Sequence, residues 1–284
     1  MKSLRLIPLL LLLSIVAACG GEDSSNLTAN TLQRAIPTAP ETLDQHKARS
    51  TQAADILRDL GEGLVGYSPD GELVPAAATS WDVSADGLTY TFHLRENAKW
   101  SNGDPVVAAH FVAGVERLVN PETAAFYAEF LSDVERIEAP DDSTLVLTLT
   151  RPTPYLLSLL THPATFPIHT PSVNEHGAGF ARPGKFVSNG AYRLDAWVPG
   201  SVVSLRRNEE YWNNAATSID KVNYHVVVED TAELNRYRAG ELHITSTVPP
   251  DNFAQVQAEL SDQLHVAPYL GVYYYGFNLS RPPF

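Results

Sequence analysis

The sequence predicts a mixed α/β fold in which a mostly antiparallel region precedes a parallel unit. Apolar and polar residues alternate in several segments separated by short turns such as DG at 86–87, a pattern typical of antiparallel hairpins. Near the C-terminal end, an alternating segment at 222–228 is followed by a helical pattern at 231–238 and an apolar segment at 242–244. A strand, a helix and a second strand in this order predict a right-handed parallel crossover.

The antiparallel region is predicted from four segments. A short strand at 81–84 pairs with a strand at 88–94, another strand lies at 144–150 after the turn DDS, and a hairpin at 192–205 turns at PG. Alternation predicts which residues of these segments and of the later strand face the core: Leu88, Tyr90, Phe92, Leu94, Leu145, Leu147, Leu149, Val222, Tyr224, Val226 and Val228.

A helix is predicted to follow the second of these strands. Asp104 is a favourable N-cap, Pro105 a favourable first helical residue, and NP at 120–121 predicts the end of the helix. Helical spacing places its apolar residues on one face: Ala108, Phe111, Val112, Val115, Leu118 and Val119.

The N-terminus predicts export. Lys2 and Arg5 precede an apolar run at 6–18, which is shorter than the roughly 20 residues needed to span a bilayer. The end of the run, VAACG, resembles a bacterial lipobox, which implies a signal peptide over 1–18 and a lipid on Cys19. The polar segment 19–30 is then predicted to be a lipid-anchored flexible tether. The alternative is an ordinary signal peptide with a cysteine at this position by chance.

Charge and cysteine content exclude several classes of function. Cys19 is the only cysteine, so no internal disulfide and no catalytic thiol is predicted. The formal net charge is −13, which argues against nucleic acid and against a polybasic membrane contact. Arg95, Lys99 and Trp100 resemble a stacking site for nucleic acid, but we expect Trp100 to pack with Phe92 and both basic side chains to lie on the surface.

No catalytic residues, metal site or cofactor are predicted. The sequence has no Gly-x-Ser-x-Gly, P-loop or His-Glu-x-x-His motif. His162 and His169 lie in a proline-containing segment without a nearby acidic ligand, so they do not form a convincing metal pair. The acidic pairs at 141–142 and 209–210 are expected to be solvated turns.

Several ordered blocks give the sequence a family resemblance. They are LDQH (43–46), EGLV (62–65), TSWDVSADGLTYTFHLRENAKWSNGDPVVAAHF (79–111), THP (161–163), NGAYRL (189–194), RNEEYW (207–212), NRYRAGEL (235–242) and PYLGVYYYGFN (268–278). Together they resemble the extracellular solute-binding proteins of family 5, the receptors of peptide-type ABC importers. The resemblance runs from about residue 31 to the last residue and is strongest to the oligopeptide-binding branch.

The resemblance implies a periplasmic-binding-protein-like fold of type II, a clamp of two lobes joined at a hinge. The first lobe would comprise an α/β subdomain (31–66 and 186–284) and an inserted, mostly antiparallel β subdomain (67–185). The sequence ends where family members cross the hinge, so we expect the second lobe to be missing and one wall of the clamp to remain.

The resemblance also implies the ligand-binding residues. They are Arg49, Ser50, Thr51, Tyr127, His162, Tyr275 and Asn278. Close relatives often have an acidic residue at the position of Arg49, so this arginine puts amine recognition in doubt and favours an anionic group.

The function implied is a lipid-anchored, extracytoplasmic, non-enzymatic component of an ABC importer. It would be a monomer that binds extended oligopeptides, delivers them to the transmembrane subunits of a permease, and is held through Cys19 to a bacterial membrane at its periplasmic or cell-surface face. The alternatives are a structural or interaction lipoprotein that keeps one lobe and has lost transport, and a family member that binds nickel, haem or a sugar.

Overall fold

A computed structural model describes residues 30–267 and 272–282 of the chain. The predicted signal peptide and Cys19 lie outside the described residues. The chain divides into two compact units, Met1–Ser246 and Thr247–Phe284. Among the described helices, none has the length and apolar character needed to cross a bilayer.

The first unit contains ten described strands and five described α-helices. The strands are β1 (Thr31–Ile36), β2 (Val65–Tyr67), β3 (Leu73–Pro75), β4 (Ala78–Val83), β5 (Thr89–Leu94), β6 (Val134–Asp141), β7 (Thr144–Leu149), β8 (Tyr192–Val198), β9 (Val202–Arg207) and β10 (Lys221–Val226). The helices are α1 (Thr51–Leu60), α2 (Ala108–Val119), α3 (Leu156–Leu159), α4 (Thr170–His176) and α5 (Asp230–Arg238). The second unit contains α6 (Phe253–Glu259).

The first of two four-stranded sheets has the strand order β1-β10-β9-β8. Only the β1–β10 pair is parallel, and the β8–β9 pair forms the hairpin predicted around PG. Apolar residues of this sheet form one core cluster with the buried face of α1: Ile36, Leu194, Val203, Leu205, Val222 and Tyr224 from the strands, and Ala53, Ile56, Leu57 and Leu60 from the helix.

The second sheet is antiparallel throughout and has the order β4-β5-β7-β6. Its alternation is confirmed, because Tyr90, Phe92, Leu94, Leu145, Leu147 and Leu149 are all buried. Trp100 is buried in the same core cluster as Phe92, and α2 contributes Phe111, Val115 and Leu118. The strands of this sheet lie in the chain between β1 and β8. The boundaries predicted at 66/67 and 185/186 stay a prediction, and the predicted segment 186–284 runs across the division after Ser246.

The predicted start of the helix at Asp104–Pro105 is wrong, because α2 begins at Ala108. Tertiary hydrogen bonds keep the preceding chain extended: the backbone N–H of Val106 donates to the Ala98 carbonyl at 2.9 Å. The Asp104 carboxylate contacts His169 Nε2 at 2.8 Å instead of capping the helix. The predicted end is confirmed, since Asn120 is the C-cap.

The predicted strand at 242–244 is present only as one parallel bridge, Arg34 to Ile244, beside β1. The N–H groups of His243 and Ile244 share the Gln33 carbonyl, so the segment makes no regular ladder. Two further predictions of inward-facing residues are wrong. Val228 lies two residues beyond the end of β10 and is 68% exposed, and Val119, the last residue of α2, is 45% exposed.

Candidate ligand-binding surface

Five of the seven predicted site residues meet at the N-terminal end of α1. Arg49, Ser50 and Thr51 lead into this helix, and the side chain of Ser50 caps it by accepting the Ala53 N–H at 3.2 Å. The Tyr127 hydroxyl donates to the Arg49 carbonyl at 3.2 Å. The rings of Tyr127 and His162 lie 4.4 Å apart. We call these five residues the candidate surface. Arg49 and Thr51 are exposed, and the other three are half-buried.

An aromatic cluster surrounds Tyr127, formed by Phe126, Tyr127, Phe130 and His162. The Tyr127 ring lies 4.9 Å from both phenylalanine rings, and Phe130 lies 5.2 Å from His162. Phe126 is 56% exposed. Sequence reasoning missed both phenylalanines, although the run FYAEF (126–130) was a usable signal. Exposed aromatic faces next to backbone polar groups are suited to hold a chain by packing and hydrogen bonds.

Glu41 fixes the loop that carries Arg49 and Ser50. Its carboxylate accepts the backbone N–H groups of both residues and, at 2.5 Å, the hydroxyl of Ser50. Partial burial acts to raise the pKa of Glu41, but the bonds from Ser50 and Arg49 outweigh it and lower the pKa below the ordinary value. Glu41 is therefore an anion at neutral pH. Sequence reasoning missed it because it lies eight residues before Arg49 and belongs to no motif.

His162 is a neutral imidazole within the cluster. Burial, and secondarily the charge of Arg58, lower the pKa of His162 to about 4. Its Nδ1 accepts the N–H of Ala164 at 3.2 Å. A neutral imidazole with Nδ1 as acceptor carries its proton on Nε2, so His162 is equipped to donate one hydrogen bond to a carbonyl oxygen.

A buried ion pair connects the loop before α1 with α2. Arg117 of α2 makes two hydrogen bonds to the Asp44 carboxylate, at 2.8 and 2.6 Å, and contacts His46 Nδ1 at 2.6 Å. The carbonyl of His46 accepts the N–H of Phe126 at 3.3 Å. The LDQH block thus joins the loop before α1 to α2 and to the aromatic cluster.

A second polar network holds other family blocks together. Glu62 accepts hydrogen bonds from the Tyr211 hydroxyl at 2.5 Å and from Trp212 Nε1 at 2.8 Å. The guanidinium of Arg95 lies 3.6 Å from the centre of the Trp212 ring, so the predicted surface position of Arg95 is only partly correct. Lys99 is exposed and pairs with Glu210 at 3.1 Å, as expected for a surface lysine. Burial raises the pKa of Glu62 to about 7.

The remaining two predicted site residues lie in the second unit. Tyr275 is 79% exposed, and its ring lies 5.4 Å from that of Tyr273. The side chain of Asn278 accepts the N–H of Ser280 at 3.0 Å. Their role in binding stays a prediction. In the described part of the chain, no group of three His, Cys, Asp or Glu side chains is arranged to hold a metal ion.

Comparison with known proteins identifies the class as a solute-binding protein. Residues 72–284 match the family described as bacterial extracellular solute-binding proteins, family 5 Middle. The chain belongs to this family, which confirms the predicted family. The relatives found in the comparison are substrate-binding proteins, so the prediction that the chain is not an enzyme is also confirmed.

The similar relatives include oligopeptide-binding proteins. The periplasmic oligopeptide-binding protein OppA of Escherichia coli (strain K12) is 39% identical over 272 residues, which cover 89% of this chain and 50% of the relative. OppA of Haemophilus influenzae is 38% identical over 263 residues, 86% of this chain and 49% of the relative. A probable deoxycholate-binding periplasmic protein of Escherichia coli, YgiS, is 35% identical over 262 residues, 86% of this chain and 49% of the relative. The chain spans about half the length of the curated relatives it matches. The periplasmic names of these relatives agree with the predicted export.

Solved structures confirm the periplasmic-binding-protein-like fold. The crystal structure of Haemophilus influenzae OppA in complex with RPPGFSPFR matches with a TM-score of 0.79 and 37% identity, over 81% of this chain and 48% of that chain. The unliganded open form of the murein tripeptide binding protein MppA matches with a TM-score of 0.79 and 33% identity, over 82% of this chain and 48% of that chain.

Proposed function

We propose that the chain is the peptide-receiving part of an ABC importer and binds extended oligopeptides at the candidate surface. One observation carries this proposal: three segments distant in sequence, at 49–51, 127 and 162, converge on one accessible surface. The relatives named for oligopeptide binding and the predicted site residues support the same ligand class.

The chemistry of the candidate surface suits a peptide backbone. His162 supplies an Nε2–H donor, the ring of Tyr127 lies 4.4 Å from its ring, and the aromatic cluster offers apolar faces. Every peptide has the same repeating carbonyl and N–H groups, so recognition through the backbone accepts many side chains. A second lobe would add enclosure, and closure of the two lobes is the conformational change that permease subunits would recognise.

The remaining parts of the proposal concern location and assembly. The protein is exported by a signal peptide over 1–18, lipidated at Cys19, tethered to the membrane by 19–30 and monomeric. It delivers its ligand to the transmembrane subunits of the permease. Tyr275 and Asn278 are further ligand-binding residues in this proposal.

Calorimetry with the full-length product of the gene tests the proposal. Mixed di- to pentapeptides are expected to give saturable heat, whereas nickel, haem, a sugar and deoxycholate are expected to give none. If one of these compounds binds and no peptide does, the proposal is wrong and the protein binds another class of ligand. Absence of binding to every compound would favour a structural or interaction lipoprotein.

A further inference from the structure

We propose that Arg49 makes the candidate surface selective for peptides that place a carboxylate beside it, such as an acidic side chain at one ligand position. This inference rests on the proposed function, because it assumes that the ligand lies on the candidate surface. It adds a charge preference to a mode of binding that is otherwise based on the backbone.

The backbone of Arg49 is held from two sides. Its N–H donates to the Glu41 carboxylate, and its carbonyl accepts the Tyr127 hydroxyl at 3.2 Å. Its guanidinium carbon lies 5.3 Å from the centre of the Phe126 ring. The side chain therefore extends from a fixed point and rests against an aromatic ring, which reduces the entropy lost when it binds a partner.

The charge of Arg49 is available to a ligand. Within residues 30–267 and 272–282, no carboxylate lies within 4.0 Å of its guanidinium, and this group donates no hydrogen bond to a described residue. Arg34 and Arg58 differ in this respect, since both pair with Asp55. An arginine whose donors are free can bind a carboxylate through two parallel hydrogen bonds.

Two polar neighbours within the candidate surface and its loop, Glu41 and His162, do not supply a free anion. Glu41 is charged, but one carboxylate oxygen accepts two backbone N–H groups and the other accepts the Ser50 hydroxyl. Its charge is thus engaged within the loop. His162 is neutral at physiological pH, because burial and Arg58 lower its pKa to about 4. A carboxylate near Phe126 therefore meets a cation that pairs with no carboxylate among the described residues, whereas an amine there meets the same cation as a repulsive charge.

The test is calorimetry on the full-length product with tetra-alanine and variants carrying Glu, Gln or Lys at each position in turn. At one position, Glu is expected to bind about fivefold more tightly than Gln, the upper range for an exposed ion pair. The preference is expected to shrink in 1 M salt. The Arg49→Gln variant should lose the preference for the Glu peptide, and Arg49→Lys should retain part of it. The Arg49→Glu variant should bind the Lys peptide more tightly than the Glu peptide. Arg193→Gln, at an exposed arginine on β8, is the matched control and should leave the preference unchanged.

The outcomes separate this inference from the proposed function. Equal binding of the Glu, Gln and Lys peptides by the wild type would overturn the inference and leave peptide binding standing. A preference that survives in Arg49→Gln would also overturn it. If Arg49→Gln fails to fold, as judged by circular dichroism, Arg49→Lys and the salt dependence of the wild type decide. Absence of binding to any peptide would contradict the proposed function itself.

Discussion

Replacing Arg117 with methionine is expected to lower the free energy of unfolding by about 3 kcal/mol, the lower end of the range for breaking a buried ion pair. The side chains of Arg117 and Asp44 are 18% and 5% exposed. Without Arg117, the Asp44 carboxylate remains buried with only local hydrogen bonds. Burial alone would raise the pKa of Asp44, yet Arg117 lowers it below the ordinary value. The ion pair therefore stabilises the fold at pH values above the ordinary pKa of an aspartate. This stabilisation is lost as the pH falls through the lowered pKa of Asp44.

Urea unfolding followed by tryptophan fluorescence measures the effect of Arg117→Met. The matched control is Arg136→Met, because Arg136 forms an ion pair with Glu138 at 3.3 Å while their side chains are 62% and 46% exposed. An exposed pair contributes at most about 1 kcal/mol, so the control should stay close to the wild type. Equal stabilities of the two variants would contradict the assigned role of Arg117.

Replacing Gly190 with alanine is expected to cost about 3 kcal/mol or more, because the new methyl group has no space. A Cβ at this position would lie 2.8 Å from the Asp59 carbonyl oxygen and 2.8 Å from the Gly61 nitrogen, both backbone atoms at the end of α1. The segment around Gly190 cannot easily move away from α1, because the Gly190 N–H donates to the Leu60 carbonyl at 3.0 Å.

Gly66→Ala is the control for this substitution. A Cβ there would meet only the methyl of Ala76, the residue after β3, at 3.8 Å, which is an ordinary van der Waals contact. Alanine in a strand is favoured over glycine by about 0.5–1 kcal/mol, so the control should be neutral or slightly stabilising. Thermal unfolding of both variants measures the difference. A stability of Gly190→Ala similar to that of the wild type would show that the close approach of 190 to α1 is not required.

Local periodicity explains which parts of the fold were predictable. Alternation at 88–94 and 144–150 identified the buried faces correctly, because side chains in a strand alternate between two faces whatever the neighbouring strands are. The start of α2 was not predictable in this way. The local signal at Asp104 and Pro105 was strong, but the hydrogen bond of Val106 to Ala98 and the contact of Asp104 with His169 keep this segment out of the helix.

The candidate surface was less predictable from the residues alone. Tyr127 and His162 were placed by family resemblance, and their proximity to Arg49 depends on contacts across 78 and 35 positions, which one sequence does not reveal. Glu41 holds Arg49 and Ser50, and Phe126 contacts the side chain of Arg49, only in the folded chain. The Asp44–Arg117 pair spans 73 positions, so the LDQH block could be recognised without its structural purpose being visible.

A bulky substitution at Thr51 is the most direct test of the claim that peptides lie on the candidate surface. Thr51 is exposed at the first position of α1, so Thr51→Trp should leave the fold intact. Thr79→Trp, at an exposed threonine of β4, is the matched control. In calorimetry on the full-length product, Thr51→Trp is expected to weaken binding of a tetrapeptide by at least about tenfold, or 1.4 kcal/mol, while Thr79→Trp binds like the wild type. Unchanged affinity in a folded Thr51→Trp variant would contradict the claim.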